Sequence, residues 1–433
     1  MNSKKKFLRD YYDYAKYKLF PICRSLTGDG NKKTLNLIKK KIKFLKIKSF
    51  QSGSKVYDWR IPPEWNIKSA SIKDKFGKKL VDFSDNNLHI VGYSIPIKKK
   101  VNKGLLLSKL YTFPNNKNAI PYVTSYYKKD WGFCVTEIKK NLIEKLYKKD
   151  DLFKVHIQSS FKKNGKLHYG EALVPGKSKK EILISTYICH PSMANNEISG
   201  ILVSMCLLKH FEKKKLNHTL RFIFIPENIG SQAYISKNLK RLKKNVVGGF
   251  VLSCIGDNRN HSCMLSKNKN SPSDNALLET YKKLKLKFKI HPFTRSGSDE
   301  RRFNYPGIDI PIASIFRTKY GEYPEYHSSL DNFNLVTLKG IKGGFKVAMN
   351  AISCLDKKII PKNCLPCEPQ LGKRKLYSTI SKNSLHPKYR NYINFLLYAD
   401  GKTDLGQIKN ILNISNFECL KIYQILKKNS LIS

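Results

Sequence analysis

Acidic residues are scarce in this sequence. Its 433 residues include 32 Asp and Glu against 82 Lys and Arg, so the formal net charge is +50. Such an excess is typical of proteins that bind nucleic acid or an anionic surface. The lysines are nevertheless spread along the whole chain, in short clusters at 4–6, 39–41, 98–100 and 213–215. We interpret them as a diffuse bias that acts mainly through solubility. The alternative, a selected basic face, predicts strongly salt-dependent polyanion binding.

Long apolar runs and paired cysteine motifs are also missing. No run reaches about 18 apolar residues, and the basic N-terminus lacks the apolar core of a signal peptide. We therefore expect a cytoplasmic protein that does not enter the membrane. Among ten cysteines, Cys364 and Cys367 form a C-x-x-C without a second pair or a nearby His. Most others lie inside apolar runs, which indicates reduced core thiols.

Hydrophobic periodicity divides the chain into three parts. Residues 1–50 predict two helices around a polar turn, and residues 170–365 alternate buried-strand and helical patterns. Together these two ranges predict an α/β core with a mostly parallel sheet sandwiched by helices. Residues 51–169 contain short β-rich segments separated by turns and predict an inserted β domain. After a linker rich in Pro and Cys, residues 366–433 predict three short helices, as in a winged-helix or helix-turn-helix module.

Three predicted strands end in residues that can bind a metal or take a proton. His190 follows EILISTYIC, Glu227 follows RFIFIP, and Asp257 follows VVGGFVLSCIG. Ligands of open α/β sheets bind beyond the carboxyl ends of the strands, so these side chains are expected to share one edge. The alternative for each is an ordinary turn or helix start, which polar residues such as Asn195 also favour.

His327 lies in a polar loop after the predicted strand IPIASIFR. Two histidines and carboxylates on one edge fit zinc, which binds imidazole and carboxylate and keeps a position open for water in catalytic sites. Zinc lowers the pKa of that water to about 7, and a nearby Glu can accept its proton.

Other residues are candidates for substrate contact. The Arg24 guanidinium can bind a carboxylate or phosphate with two hydrogen bonds, or it can form a salt bridge that ties the first helices to the core. Arg301 and Tyr326 lie in the polar loops near His327 and are predicted to contact substrate. For His89, in the predicted strand LHIVGY, the sequence leaves two expectations: its side chain faces either the cleft or solvent. Aromatic residues of the insertion line a wall of the cleft or, more commonly for such residues, form core: Tyr122, Tyr126, Tyr127 and Trp131.

The order of these motifs resembles the zinc-dependent aminopeptidase superfamily. More closely, it resembles bacterial aminopeptidase-like domain proteins associated with polysaccharide biosynthesis, which combine a peptidase-like core, an inserted β domain and a C-terminal winged helix. The resemblance covers nearly the whole chain. It is carried by LFPICRSLTGDG, IPYVTSYYKKDWGFC, STYICHPSMANNEISG, FIPENIGS, GSDERRFNYPGIDIP and PEYHSSLDN.

The resemblance implies roles for individual residues. His190 and His327 match the superfamily's histidine ligands, and Glu227 matches its glutamate pair, whose second position is Asn228 here. Asn195 falls where a bridging aspartate is expected. Asp257 lies near a third-strand aspartate, and Asp299 is a further candidate. Because a neutral Asn is a poor bridge between two cations about 3.5–4 Å apart, the resemblance implies either one Zn²⁺ or a site that binds without fast turnover.

Three hypotheses follow. The first is a zinc hydrolase acting on a small amide, such as a peptide or an N-acylated sugar. In it His190, His327 and Asp257 or Asp299 bind the metal, Glu227 is the general base, and the insertion restricts the cleft to short substrates.

The second is a catalytically degenerate binding or regulatory protein. Its winged helix would contact protein or nucleic acid. Nucleic acid is not favoured, because the last predicted helix, NFECLKIYQILKK, has only a few basic residues on one face. The third is a structural role in glycan synthesis, suggested by family association alone. A homo-oligomer is compatible with all three.

Overall fold

In the computed structural model, residues 2–114, 116–377 and 387–433 are described. The α-helices in these ranges are α1 (Asn2–Tyr14), α2 (Asp29–Lys41), α3 (Lys103–Ser108), α4 (Glu137–Leu146), α5 (Ser199–Phe211), α6 (Ile229–Asn245), α7 (Pro272–Lys283), α8 (Asp299–Phe303), α9 (Leu338–Lys357), α10 (Pro387–Tyr398), α11 (Leu405–Leu412) and α12 (Asn416–Lys428). Two π-helical turns, Ala15–Leu19 and Ala194–Ile198, precede α2 and α5.

The strands form one large sheet and a smaller sheet, with two short pairs beside them. Their bounds are β1 (Lys46–Gln51), β2 (Lys55–Val56), β3 (Trp59–Arg60), β4 (Glu64–Lys73), β5 (Lys79–Asp82), β6 (Ile97–Asn102), β7 (Leu110–Tyr111), β8 (Phe133–Cys134), β9 (Leu152–Lys162), β10 (Lys166–Val174), β11 (Ser178–Tyr187), β12 (His218–Ile225), β13 (Val246–Leu252), β14 (Ser262–Met264), β15 (Lys289–His291) and β16 (Ile312–Phe316).

The large sheet has the order β1-β10-β12-β11-β13-β16-β14-β15. Its four central strands, β12, β11, β13 and β16, are mutually parallel. They are continuous apolar runs because helices cover both faces of the sheet. Antiparallel pairs join β1 and β10 at one side and β14 at the other. The predicted α/β fold is confirmed, and the sheet is parallel at its centre and mixed towards its edges.

Helix α5 packs unusually close to the sheet. All of its residues from Ser199 to Leu208 are buried. A Cβ atom at Gly200 would lie 2.3 Å from the Leu252 carbonyl oxygen and 2.4 Å from Thr186 Oγ1, so only a glycine allows this approach. The helix therefore begins directly behind the loops at the carboxyl end of β11 and β13.

Two elements of the core differ from expectation. The predicted second helix extends to about residue 48, whereas α2 ends at Lys41 and β1 begins at Lys46, where it pairs with β10. Helix α9, which the sequence analysis does not identify, packs on α7 and α5 and buries its apolar stripe. Gly343 and Gly344 near its first turns weaken the helical signal, because glycine has a low helix propensity.

The insertion has its own core. Four antiparallel strands in the order β5-β4-β9-β6 pack with α3 and α4, two helices that the β-rich pattern does not predict. The chain leaves the large sheet after β1 and returns to it at β10. The insertion lies between these two strands, and β10 itself belongs to the core sheet. The range 51–169 stays a prediction.

The C-terminal helices α10, α11 and α12 are the three short helices that the sequence predicts, and they share a separate core. Lys358 Nζ connects this module to the α/β core, since it contacts Glu279 Oε1 at 2.8 Å and Asp404 Oδ2 at 3.1 Å. Part of the predicted tail, residues 378–386, lies outside the described residues. Of the helices that are described, none is both long and apolar enough to span a bilayer.

Candidate metal centre

His190 is oriented by a buried carboxylate. Its backbone N–H and that of Cys189 donate to Glu197 Oε2, and its Nδ1 lies 3.1 Å from the same oxygen. The other oxygen, Oε1, accepts a hydrogen bond from Arg24 Nε, and both side chains are fully buried. Because Nδ1 faces Glu197, the opposite ring nitrogen, Nε2, is the one presented to the site.

His327 completes an imidazole pair. The ring centroids of His190 and His327 are 5.3 Å apart, and the Tyr122 ring lies 5.2 Å from the first and 5.1 Å from the second. His327 Nε2 is buried and has no hydrogen-bond partner among the described residues. The Tyr122 N–H donates to the His327 carbonyl oxygen at 2.8 Å, so the inserted domain reaches the centre directly.

Glu227 approaches His190 from the next strand. Its Oε2 lies 3.8 Å from His190 Nε2, while Oε1 accepts a hydrogen bond from Ser298 Oγ. The Glu227 side chain is 19% exposed, so one end of the centre is open to solvent. Ser298 thus fixes one carboxylate oxygen and leaves the other beside the imidazole.

Asp299 lies beyond Glu227. Its Oδ1 accepts a hydrogen bond from the Asn228 N–H at 2.9 Å, and its Oδ2 is buried without a hydrogen-bond partner among the described residues. Arg302 Nε donates to Asn228 Oδ1 at 3.1 Å, so Asn228 connects α8 to the end of β12.

Two loop residues hold left-handed backbone conformations, with φ of 61° at Asn228 and 55° at His327. Non-glycine residues adopt this region at a cost of order 1–3 kcal/mol, which surrounding contacts must offset. The strained positions fall at the two loops that deliver Glu227 and His327.

The pKa values of the four groups are shifted. Burial raises the pKa of Glu227, and His190 and Ser298 offset this only in part. Burial opposes protonation of His190, but the Glu197 hydrogen bond and the charge of Glu227 outweigh it and raise its pKa. Burial and then the charge of His190 lower the pKa of His327 well below its usual range. Burial, reinforced by Glu227, raises the pKa of Asp299 to about 7.

Asn195 and Asp257 bind each other rather than the histidine pair. Asn195 Nδ2 donates to Asp257 Oδ2 at 3.0 Å, and Asn195 Oδ1 accepts from the N–H groups of Gly256 and Asp257. Thr318 donates to both Asp257 oxygens, through its N–H at 3.0 Å and its hydroxyl at 2.8 Å. These contacts join three loops. The ligand role expected for Asn195 and Asp257 stays a prediction with no supporting contact in the described chain.

The substrate-contact predictions have different outcomes. Arg24 forms the salt bridge that is one of its two predicted roles, since its buried guanidinium binds Glu197, the His190 carbonyl oxygen and the Leu19 carbonyl oxygen. Its contact with substrate stays a prediction. Arg301 is exposed and donates to the Ser296 carbonyl oxygen at 2.9 Å. Tyr326 stacks on His327 with ring centroids 3.9 Å apart.

The aromatic residues of the insertion divide between wall and core. Tyr122 faces both histidines, and its hydroxyl shares a 2.7 Å hydrogen bond with that of Tyr126. Trp131 is buried in the core of the insertion, while Tyr127 is exposed. His89 faces neither cleft nor solvent, because its buried Nδ1 lies 2.8 Å from the Cys134 carbonyl oxygen.

Four residues of the centre are absent from the sequence-based ligand and substrate assignments. They are Glu197, which orients His190; Ser298, which orients Glu227; and Asn196 and Tyr187, which are joined by a 2.6 Å hydrogen bond. The Tyr187 ring lies 5.3 Å from that of His190, and Asn196 Nδ2 is buried without a partner in the described structure. All four lie within the motif segments, but a motif does not show which side chain faces the ligand.

A second set of ligand atoms, from Cys189, His190 and Glu197, lies close together on the Nδ1 side of His190. Glu197 there already accepts hydrogen bonds from Arg24 and two backbone N–H groups. Burial raises the pKa of the Cys189 thiol well above its usual range, which opposes the thiolate that a metal needs. The Nε2 side is the better metal position.

The donor atoms on that side fit zinc. They comprise His190 Nε2, the Glu227 Oε2 that lies 3.8 Å from it, and the unpartnered Nε2 of His327, whose ring centroid lies 5.3 Å from that of His190. Zinc prefers such nitrogen and oxygen ligands, and the depressed pKa of His327 keeps its ring in the neutral form that binds metal. The nitrogen and oxygen donors on this side of His190 are therefore of the types that zinc binds.

Comparisons with known proteins show the family and the fold of this chain. The model of a domain of unknown function, DUF4910, matches residues 12–358, and a winged helix-turn-helix model matches residues 359–433. A curated relative from Clostridium acetobutylicum is described as a polysaccharide biosynthesis protein with an aminopeptidase-like domain. It is 39% identical over 393 residues, which is 90% of this chain and 88% of the relative.

Solved structures have the same fold. A candidate peptidase from Clostridium acetobutylicum has 35% identity and a TM-score of 0.79, with 99% of this chain and 97% of that chain covered. A zinc aminopeptidase from Bacillus subtilis has 12% identity and a TM-score of 0.59 over 80% of this chain and 94% of that chain, which is a likeness of fold alone. The predicted resemblance to aminopeptidase-like proteins with a winged helix is confirmed.

Proposed function

The chain belongs to the DUF4910 family, and we propose that it is a zinc-dependent hydrolase of small amides built on an aminopeptidase-like core. The observation that carries the proposal is the pairing of His190 and His327, with an unpartnered imidazole nitrogen on one and a carboxylate oxygen 3.8 Å from the other. The His327 Nε2 atom forms no hydrogen bond with the described residues. Two buried imidazoles this close together suit a metal cation that keeps one coordination position open.

His190 and His327 are the proposed protein ligands, with Asp299 as the carboxylate that joins them. Asp257 is left out, because Thr318, Asn195 and Arg259 already donate to its two oxygens. Zn²⁺ bound at this position would lower the pKa of a coordinated water to about 7 and polarise an amide carbonyl.

Glu227 is the proposed general base. Ser298 holds Oε1, so Oε2 alone is free to accept a proton on the side that faces His190 Nε2. Burial raises the pKa of Glu227 towards neutral pH. A general base is most effective when its pKa lies near the pH at which the enzyme works. The single glutamate serves one role, since Asn228 beside it binds Arg302.

The substrate class follows from the surroundings of the centre. The inserted domain contacts the His327 loop through Tyr122, and the Ser329 N–H donates to the Ile120 carbonyl oxygen at 2.9 Å. Because the insertion lies against this loop, a long polypeptide would have little room beside the metal centre. The description of the Clostridium relative favours an N-acylated sugar over a free peptide. We propose a short amide, with N-acylated sugars as the first class to test.

Elemental analysis of the purified full chain tests the metal. One zinc per chain is expected, with loss of zinc in His190→Ala and His327→Ala. Asp299→Asn should weaken zinc binding, whereas Asp257→Asn serves as the matched carboxylate control and should retain it. Zinc retained in both histidine variants would rule out the proposed centre.

Amide hydrolysis tests the base. Glu227→Gln should retain zinc and lose activity by 10²-fold or more, as is typical when a general base is removed. Hydrolysis at the wild-type rate in that variant would refute the role of Glu227. One zinc per chain without hydrolysis of any amide would favour the second candidate, a ligand-binding protein with a degenerate peptidase core.

A further inference from the structure

Lys319 lies at the same edge of the sheet as the metal centre, three residues after β16. Its position is fixed by its neighbours. Thr318 donates twice to Asp257, and Arg317 Nε donates to the Asp257 carbonyl oxygen at 2.9 Å. The segment is thereby fastened to the loop that follows β13, where ligands of α/β sheets bind.

The Lys319 ammonium is buried without an ion pair. The residue is 5% exposed, and Nζ donates to the Tyr320 carbonyl oxygen at 3.1 Å and lies 3.7 Å from the centroid of the Tyr320 ring. No carboxylate oxygen of the described residues lies within 4.0 Å of it. Since an ammonium has three donors, two have no acceptor in the part of the chain that the structure describes.

Carboxylates in the vicinity have other partners. Glu300 Oε1 accepts hydrogen bonds from Gly297, Ser298 and the Tyr320 hydroxyl. Glu322 pairs with Lys289 at 3.0 Å and Arg295 at 2.8 Å. Glu300 and Glu322 attract the Lys319 ammonium only at longer range, and a buried charge without a direct ion pair weakens the fold unless a ligand compensates it.

The lysine is connected to the metal centre through one aromatic side chain. The Tyr320 hydroxyl donates to Glu300 at 2.6 Å, Glu300 accepts from Ser298 N–H, and Ser298 Oγ donates to Glu227. The Tyr320 ring also lies 6.4 Å from that of Tyr326, which stacks on His327.

We propose that Lys319 binds the negative charge of an anionic substrate, a carboxylate or a phosphate carried by the same molecule whose amide lies at the metal centre. This inference rests on the proposed function and narrows its substrate class. The net charge of +50 also favours an anionic substrate, because a positively charged protein meets anions at a higher rate.

Isothermal titration of the full-length protein with two pairs of probes tests the proposal. N-acetylglycine and its neutral amide, N-acetylglycinamide, form the carboxylate arm. N-acetylglucosamine 6-phosphate and N-acetylglucosamine form the phosphate arm. The wild type should bind the anion about tenfold more tightly than its neutral partner in one arm, as expected for a hydrogen-bonded charge. The arm that shows the preference identifies the anion.

Three variants separate ligand binding from structure. Lys319→Met should abolish the preference for the anion and leave the melting temperature unchanged or higher. Lys319→Arg should keep part of the preference, and Lys289→Met, at an exposed lysine paired with Glu322, should keep all of it. A preference that persists in Lys319→Met, or no preference in either wild-type arm, would overturn the proposal.

The two proposals fail separately. Zinc-free protein that still prefers anions through Lys319 would remove the hydrolase and retain the anion site. Zinc-dependent hydrolysis of neutral amides with no effect of Lys319→Met would retain the hydrolase and remove the anion site.

Discussion

At the scale of single residues, the contact between Glu197 and His190 fixes the geometry of the centre. Three N–H groups and the Arg24 guanidinium surround the Glu197 carboxylate, which thereby holds one tautomer and one orientation of the imidazole. Carboxylates in this position raise the basicity of a metal-binding histidine.

Replacing Glu197 should therefore weaken zinc without removing a ligand. We expect Glu197→Gln to lower zinc affinity about 10–100-fold, measured by competition with a chromogenic chelator. Glu212→Gln, at an exposed carboxylate paired with Lys209, is the matched control and should have no effect. Unchanged affinity in Glu197→Gln would show that the carboxylate serves folding alone.

At the scale of elements, a buried ion network joins three strands and α6. Arg221 on β12 pairs with Glu171 on β10 at 2.6 Å and Glu181 on β11 at 2.7 Å, and the Tyr234 hydroxyl of α6 donates to Glu171. Burial alone would raise the pKa of Glu171, but Lys48, Arg221 and Tyr234 outweigh it and lower the pKa from 4.5 to about 2.

The sign of this shift gives a pH dependence. A depressed carboxyl pKa stabilises the fold above the unfolded value, and this contribution is lost as the pH falls from about 4.5 to about 2. Its size is roughly 2–3 kcal/mol. Glu171→Gln should be less stable than wild type at pH 6 in urea unfolding, with the difference shrinking towards pH 3. Asp13→Asn, at an exposed pair, should change little at either pH. A difference that is constant between pH 6 and pH 3 would contradict the assignment.

Asp404 has two roles at the start of α11. It caps the helix by accepting from the Gln407 N–H at 3.1 Å, and it pairs with Lys358 at the end of α9. Asn is as good a helix cap as Asp but carries no charge. Asp404→Ala should destabilise the C-terminal module by about 1 kcal/mol, and Asp404→Asn by less. Hydrogen exchange of the α11 amides measures both, and equal effects would show that the ion pair dominates.

At the scale of the whole molecule, the charge is not concentrated in the C-terminal module. Residues 387–433 contain seven basic and three acidic residues, a lower net charge per residue than the +50 of the full chain. The exposed face of α12 begins with Phe417 and Leu420, and its lysines lie further along the helix. This distribution favours a protein contact for the module over sequence-specific recognition of nucleic acid.

Duplex binding by the full chain should accordingly be non-specific. We expect an affinity that falls steeply with salt, is equal for unrelated duplexes, and changes by less than about threefold in a triple Ala variant of Lys421, Lys427 and Lys428. Fluorescence anisotropy at 50 and 200 mM salt measures it. A large, sequence-dependent loss in the triple variant would restore nucleic acid as a partner of the module.

The sequence alone determined the architecture of this protein. Continuous apolar runs predict buried parallel strands because both faces of such strands must be covered, and His190, Glu227 and Asp257 could be placed at one sheet edge for that reason. The three C-terminal helices follow from local periodicity and capping residues such as Ser415, which depend only on near neighbours.

Only the tertiary structure decided which side chains meet. Arg24 and Glu197 are 173 positions apart, and Ser298 and Glu227 are 71 apart, so no local pattern indicates that they pair. Helix α9 was missed because its stability comes from packing on α5 and α7 rather than from propensity. The surroundings of Lys319 in this chain, which is poor in acidic residues, are likewise set by the tertiary structure. The carboxylates near Lys319 are few and already bonded, and only their positions in space show that this lysine lacks one.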